Sequence, residues 1–142
     1  MSLDAALSVS ASALTAERTR VEVAVSNLAN AESTRGADGK PYRRRDVVLS
    51  ADTKAAFDSA LSNAGAVGVK VAAIVEDQSE FPRRFDPSHP DADKDGFVAM
   101  PNVDTPAEMV NMLSASKAYQ ANLSAISMIR DLVQKAMELG KA

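Results

Sequence analysis

The residues that break helices are confined to the middle of this chain. All six prolines lie between Pro41 and Pro106, and five of the six glycines lie between Gly36 and Gly96. Residues 1–31 and 107–139 contain neither residue type. Because glycine and proline are the residues least tolerated in helix interiors, this distribution predicts a long helix at each end of the chain.

The first predicted helix covers residues 3–31 and carries a narrow apolar stripe. Its apolar residues recur every seven positions, at Leu7, Leu14, Val21 and Leu28, and Leu3, Ala11 and Val25 continue the stripe at four-residue offsets. A seven-residue repeat is typical of helices that pack lengthwise against a partner helix. Many neighbouring positions are Ala or Ser, so the helix buries little apolar area per turn when it stands alone.

The second predicted helix has a complete start signal. Thr105 is a natural N-cap, Pro106 suits the first helical position, and Glu108 stands where a capping box places its acid. Gly140 supplies the stop. Its stripe again repeats every seven residues, at Met112, Tyr119, Ile126 and Val133, and three alternate positions are filled by Met109, Leu123 and Met137. Such a helix spans roughly 50 Å, so we expect both stripes to pack between molecules.

The middle of the chain shows weaker signals. Residues 42–50 are expected to be extended, residues 67–75 and 97–100 are predicted strands, and residues 51–64 form a possible short helix. Residues 76–96 are rich in Pro and Asp and are interpreted as loop. The predicted class is therefore α+β, with an N-terminal helix over 1–31, a small β-containing segment over 32–104 and a C-terminal helix over 105–142.

Composition excludes several function classes. The net charge of the chain is −3. The chain has no cysteine, and this absence excludes disulfides, thiolate chemistry and Cys-based zinc sites. The basic run Arg43–Arg45, with Arg35 and Lys40 nearby, is interpreted as a solvated loop because it lacks the interleaved aromatics of a nucleic-acid surface. No cleavable signal pattern and no apolar run of about 18 residues is present, so we expect no membrane insertion.

No catalytic constellation is visible. His89 is the single histidine and stands between Ser88 and Pro90, which makes a Ser–His centre improbable. The alternative from another class is a calcium-binding module that uses Asp91, Asp93 and Asp95. These aspartates and Gly96 match the start of an EF-hand loop, but Asn102 stands where that loop needs a bidentate Glu. We therefore predict no enzyme activity, cofactor or metal site, with calcium as the alternative.

Several motifs resemble the flagellar basal-body rod family. Residues 26–31 (SNLANA) with Thr34-Arg35, and residues 114–122 (SASKAYQAN), are similar to signatures that rod and hook axial proteins share. The middle motifs narrow the resemblance to proximal-rod members. They are residues 41–44 (PYRR), 85–90 (FDPSHP) and 96–103 (GFVAMPNV).

The resemblance implies a structural subunit whose terminal helices form an inner tube and whose middle segment faces outward. It implies a periplasmic drive shaft in the basal body, export by the flagellar type III apparatus without a cleaved signal, and no catalytic role. The implied partners are other copies of the chain, other proximal-rod proteins, the adaptor to the membrane ring and the distal rod. The expected assembly interface adds Asn30 to the stripe residues of both helices.

Overall fold

Two long helices frame the chain in the computed structural model, which describes residues 3–53 and 67–140. Helix α1 is Leu3–Ala29 and helix α2 is Thr105–Leu139, with 27 and 35 residues. Both predicted helices are confirmed, and so is the α+β class, because short strands occupy the middle. Helix α1 ends in a turn in which the backbone N–H of Asn30 donates to Ser26 and that of Ala31 to Leu28.

Four strands form two small sheets among the described residues. Strand β1 (Arg45–Ala51) pairs with β2 (Val69–Glu76), and β3 (Arg83–Phe85) pairs antiparallel with β4 (Phe97–Ala99). The strands predicted over residues 67–75 and 97–100 are confirmed, as is the extended stretch over 42–50. The short helix predicted over 51–64 falls almost wholly outside the described residues.

Strand β3 corrects the interpretation of residues 76–96 as loop. Its three residues are too few to show an alternating pattern, and a proline immediately precedes them. The pairing comes from tertiary contacts instead: Arg84 lies opposite Val98, and Phe85 opposite Phe97. The two phenylalanine rings meet edge to face with their centroids 5.3 Å apart. Val98 is fully buried in the two-stranded ribbon formed by β3 and β4, called the β3–β4 ribbon below.

The chain divides into two compact units, and each draws residues from both helices. The first unit comprises Met1–Thr19, Val48–Ala73 and Ser114–Ala142. In it, Ser12 Oγ on α1 accepts a 3.1 Å hydrogen bond from the backbone N–H of Val69. This approach requires Gly68, since a Cβ added there would lie 2.9 Å from Ser12 Oγ.

The second unit comprises Arg20–Val47 and Ile74–Leu113. It contains the end of α1, the start of α2, the β3–β4 ribbon and the loops between them. Arg35 on the loop after α1 forms an ion pair with Asp91, and Thr34 donates to the same carboxylate at 2.8 Å. Loops that are distant in sequence are therefore held together by polar contacts.

Candidate functional site

Two polar side chains of the second unit are fully buried: Asn27 on α1 at 0% exposure and Glu108 on α2 at 2%. No other polar side chain in the described part of the chain falls in the buried class. Burying a carboxylate is costly unless it is paired and hydrogen-bonded. Their partners therefore show what this site holds together.

The side-chain amide of Asn27 makes four hydrogen bonds. Its Nδ2 donates to the carbonyl oxygen of Arg45 at 2.8 Å and to Glu108 Oε2 at 3.1 Å. Its Oδ1 accepts from the backbone N–H of Arg45 and from the Tyr42 hydroxyl, both at 2.9 Å. Both donors and both lone pairs of the amide are used. One side chain thus joins α1 to β1 and to the first turn of α2.

The second oxygen of Glu108 accepts a 2.6 Å hydrogen bond from Arg44 Nε. A charge-assisted bond of this length is among the stronger polar contacts in proteins. The pKa of Arg44 is raised: burial acts to lower it, but the hydrogen bond and negative charge of Glu108 more than offset that effect, with help from Asp46. The guanidinium therefore stays charged and neutralises the buried carboxylate.

The cap of α2 differs by one residue from the sequence-based expectation. Asp104, and not Thr105, is the cap: its carbonyl accepts from the N–H of Glu108 at 2.9 Å, and its Oδ1 accepts from Ala107 at 3.4 Å. With Asp104 as the cap, the third helical position is Ala107, so Glu108 does not stand where a capping box places its acid. Its side chain turns instead to Asn27 and Arg44.

The polar network continues through Asn102 to the segment after β2. Asn102 Oδ1 accepts from the backbone N–H of Arg44 at 2.9 Å, while its Nδ2 donates to the carbonyl of Asp77 and to Ser79 Oγ. In the described residues, no buried side-chain nitrogen or oxygen lacks a hydrogen-bond partner. A fully satisfied network of this kind fixes one arrangement of the elements that it joins.

The sequence motifs contain three of the residues that form this network, but they do not indicate that these residues meet in the folded chain. Asn27 belongs to the motif at residues 26–31, Arg44 to the motif at 41–44 and Asn102 to the motif at 96–103. Glu108 was assigned to helix capping. Nothing in local pattern reveals that four residues so far apart in sequence meet, because an Asn or Glu at a helix end reads equally well as a solvated or capping residue.

The predicted interface residues fall into two groups. The heptad positions are half-buried in the isolated subunit: Leu7, Leu14, Val21, Leu28, Met112, Tyr119, Ile126 and Val133. The alternate positions are more exposed, at 48% for Val25, 53% for Leu123 and 61% for Met137. Asn30 is half-buried and makes local contacts, donating to Ser26 O and accepting from Ser33 Oγ. Its place in an interface stays a prediction.

Helix α2 also has a second apolar face that the heptad analysis missed. Val110, Leu113, Met128 and Leu132 have 55–67% of their surface exposed. At 3.6 residues per turn they lie roughly opposite the stripe that runs from Met112 to Val133. Helix α2 is therefore apolar on two sides, with Gln120 and other polar residues between them.

The buried apolar core is small. Among the described residues, the fully buried hydrophobic side chains are Ala16, Ala24, Val98 and Ala115. Sixteen larger hydrophobic residues are exposed, half of them on α2. Three buried alanines and one valine exclude little apolar surface from water, whereas contiguous exposed apolar patches mark interaction surfaces.

The aspartates of the calcium alternative are used in other ways. Asp91 binds Thr34 and Arg35, and Asp93 Oδ1 accepts from the backbone N–H groups of Asp95 and Phe97. In the described ranges, no three His, Cys, Asp or Glu side chains are grouped so that they could hold a metal ion. These contacts explain the Asp-rich sequence as a folded turn, and nothing supports the calcium-binding alternative. Of the helices described, none has the length and apolarity needed to cross a membrane.

Two protein-family models match the chain, and the matched ranges include three of the residues that form the polar network. The model for flagella basal body rod protein matches residues 7–37, which include Asn27. The model for the C-terminal region of flagellar basal body rod FlgEFG protein matches residues 94–139, which include Asn102 and Glu108. These matches and the two-helix fold define the class as axial proteins of the flagellar rod.

Individual relatives show which family of flagellar rod proteins the chain belongs to. The flagellar basal-body rod protein FlgC of Salmonella typhimurium is 42% identical over 133 residues, covering 94% of each chain. FlgC of Bacillus subtilis is 42% identical over 144 residues, covering 95% of this chain and 96% of the relative. FlgC of Borreliella burgdorferi is 36% identical over 149 residues and covers 98% of each. The chain belongs to the FlgC family of flagellar basal-body rod proteins.

Membership of this family decides the general function. The protein is a structural subunit of the flagellar basal body that assembles with other rod components, and it is not an enzyme. The expected resemblance to the rod family is confirmed, and the buried Asn27–Glu108 network is accordingly a structural site.

Proposed function

We propose that this subunit polymerises through its two terminal helices, which form the inner tube of the proximal rod and carry torque across the periplasm. The observation that carries the proposal is the imbalance between apolar surface exposed and apolar surface buried. Sixteen large hydrophobic residues are exposed in the described part of the subunit, whereas the buried hydrophobic residues there are three alanines and one valine. An assembly that covers these residues supplies the burial that the isolated chain lacks.

The two apolar faces of α2 support a position between neighbours. One face, from Met112 to Val133, is half-buried within the subunit, while the opposite face, from Val110 to Leu132, is exposed. A helix on the surface of a monomeric globular protein has one apolar face, which packs against the core. A helix in a tube wall contacts its own subunit on one side and the next subunit on the other, so both faces are buried.

The buried network supports a role in transmitting load. Asn27 and Glu108, whose side chains are 3.1 Å apart, connect the end of α1 with the start of α2. Both are buried and fully hydrogen-bonded, and Arg44 neutralises the charge. Such contacts resist sliding better than apolar packing alone, because a small shift breaks several directional bonds at once.

The neighbours and the route of export belong to the same proposal. The subunit contacts further copies of itself, other proximal-rod proteins, the adaptor to the membrane ring and the distal rod. It reaches the periplasm through the flagellar type III apparatus. The support is membership of the FlgC family together with the surface just described.

A substitution at Leu132 tests the assembly role directly. Leu132 is 59% exposed in the subunit, so Leu132→Asp should change the stability of the free chain by less than about 0.5 kcal/mol. In a dry interface the same change costs several kcal/mol, because a buried carboxylate has no partner. We expect the variant to fold normally and to be missing from purified basal bodies.

The matched control is Gln120→Asp, on the exposed polar strip of the same helix. It introduces the same charge and should enter basal bodies normally. If Leu132→Asp subunits fold, are exported and assemble as well as the control, the exposed face of α2 does not pack in the rod. The proposal would then be wrong for this helix.

A further inference from the structure

A basic cleft lies in the second unit and has no place in the function described so far. Its volume is about 520 Å³, within the range of ligand and peptide sites. Four cationic side chains line it, Arg35, Lys40, Arg43 and Arg45, against two acidic ones, Asp38 and Glu76. The whole chain has a net charge of −3, so this local excess of positive charge is a distinct feature.

The rim of the cleft is held in place by backbone hydrogen bonds. The N–H of Gly36 donates to the carbonyl of Lys40 at 2.7 Å, and the N–H of Lys40 donates to Asp38 Oδ1 at 3.1 Å. Gly39 has a φ of 76°, a conformation that glycine adopts at little cost. A rim fixed in this way loses little conformational entropy when a partner binds.

Internal partners neutralise part of the positive charge of the cleft and leave the rest available. Arg35 is ion-paired with Asp91, and Arg45 lies 3.8 Å from Glu76 in an exposed contact, whereas the Lys40 ammonium has no ion pair within the described residues. Arg43 donates to the backbone carbonyls of Asp77 and Ser79, which do not neutralise it. The Asp38 carboxylate already binds the turn. The cleft therefore favours a carboxylate ligand.

The chain also carries an exposed acidic turn of fixed shape. Asp93 Oδ1 accepts from the N–H groups of Asp95 at 2.9 Å and Phe97 at 2.8 Å, and Gly96 has a φ of 79°. This geometry presents the Asp95 side chain to solvent, where it has no partner among the described residues. Lys94 lies between the two aspartates, so residues 93–95 carry a net charge of −1, and the Asp95 carboxylate is the group that is complementary in charge to the cleft.

We propose that the basic cleft of one subunit binds the acidic turn at Asp93–Asp95 of a second copy, an inference that rests on the proposed function. A contact between two different surfaces can repeat from copy to copy, and it builds a helical rod when the rotation between copies does not close into a ring. Lys40 and Asp95, whose charges have no partner within the described residues, are paired in this lateral contact, which orients successive subunits.

Cross-linking in assembled basal bodies tests the contact. The native chain has no cysteine, so Lys40→Cys in one copy and Asp95→Cys in another are the sole thiols of the two coexpressed chains. A short bismaleimide is suitable, since a Lys–Asp ion pair keeps the Cβ atoms too far apart for a disulfide. We expect a cross-linked dimer from this pair. Lys40→Cys with Asp131→Cys, on the exposed surface of α2, is the control and should give none.

The outcomes separate this inference from the proposed function. Basal bodies that contain both copies but give no dimer, or a dimer with a different rod protein, would overturn the cleft–turn contact and leave the rod function intact. Absence of the native chain from basal bodies would instead count against the proposed function.

A charge exchange provides an independent check. Lys40→Glu should lower incorporation into basal bodies, Asp95→Lys should do the same, and the combined variant should restore it. The control Lys117→Glu, at an exposed position on α2, should incorporate normally. Normal incorporation of both single variants, or a combined variant worse than either, would contradict the contact.

Discussion

Replacing Asn27 by Asp should destabilise the subunit in a pH-dependent way. The substitution keeps the shape of the side chain but removes both donated hydrogen bonds, to the carbonyl of Arg45 and to Glu108. It also places a second carboxylate beside the buried carboxylate of Glu108. One buried pair of opposite charge becomes a cluster of two negative groups and one Arg44.

The magnitude follows from the distance. Two unit charges 3.1 Å apart repel by about 5 kcal/mol at an effective dielectric constant of about 20. Arg44, at 2.6 Å from Glu108, offsets part of this repulsion. We expect Asn27→Asp to lower the free energy of unfolding by about 3–5 kcal/mol at neutral pH.

The sign of the pH dependence follows from linkage. Repulsion and burial raise the pKa of the introduced carboxyl above its value of about 3.9 in the unfolded chain. The penalty is therefore full above the raised pKa and is relieved as the pH falls through it, when a proton binds between the two groups. Relative to the native chain, the variant should recover stability in mild acid.

Urea unfolding followed by circular dichroism measures the difference in unfolding free energy between the variant and the native chain, at neutral pH and in mild acid. The control is Asn27→Ala, which loses all four hydrogen bonds of the amide, at about 1 kcal/mol each, without adding a charge. Its penalty should not change with pH. An Asn27→Asp penalty that is equal at both pH values, or smaller at neutral pH, would refute the arrangement of Asn27 and Glu108.

Two further predictions concern local contacts. Gly68→Ala should cost about 1–3 kcal/mol, since the new Cβ would lie 2.9 Å from Ser12 Oγ. Adding Ser12→Ala should recover part of that cost in urea unfolding, and strictly additive losses would contradict the contact. The pKa of Asp86 lies below its ordinary value of 3.8, chiefly because the Ser88 hydroxyl donates to it. Its contribution to stability is therefore present above pH 3.8 and is lost as the pH falls through the lowered pKa. In an NMR titration Ser88→Ala should raise this pKa, whereas Ser79→Ala, which removes a donor to Asp77, should leave Asp86 unchanged.

The helices could be predicted because their signals are local. The absence of Gly and Pro from residues 1–31 and 107–139, together with heptad spacing, specifies a helix before any tertiary contact is considered. The β1 and β2 segments also show local signals, in the apolar residues 47–49 and in the alternating Val69 and Val71 followed by the apolar run 72–75. Strand β3 does not, because Arg83–Phe85 becomes a strand only through its pairing with β4.

The buried polar network lay beyond sequence reasoning for a different reason. Glu108 satisfies the pattern for a capping box, and only the three-dimensional position of Asp104 shows that the cap is already supplied. Asn27 is one of several polar residues near the end of α1, and its sequence position does not indicate that it is buried. Burial of a polar residue depends on partners, here Arg44 and Tyr42, that lie far along the chain.

The second apolar face of α2 could not be predicted from the heptad pattern, because that pattern describes only the stripe from Met112 to Val133. Leu113, Met128 and Leu132 do not share the seven-residue spacing of the first stripe. Their common exposure in the folded subunit shows that they form one face. An apolar residue that is exposed in a subunit becomes informative once assembly is part of the function.

The most direct test of the assembly role is the accessibility of that face before and after rod formation. Leu132→Cys and Gln120→Cys each introduce a single thiol into a chain that has none, and maleimide labelling rates can be compared in free subunits and in purified basal bodies. We expect both thiols to react rapidly in the free subunit and the thiol at position 132 alone to become protected in the rod. Equal labelling of that thiol in the two states would show that the exposed face of α2 stays in water, and that the subunit does not assemble through it.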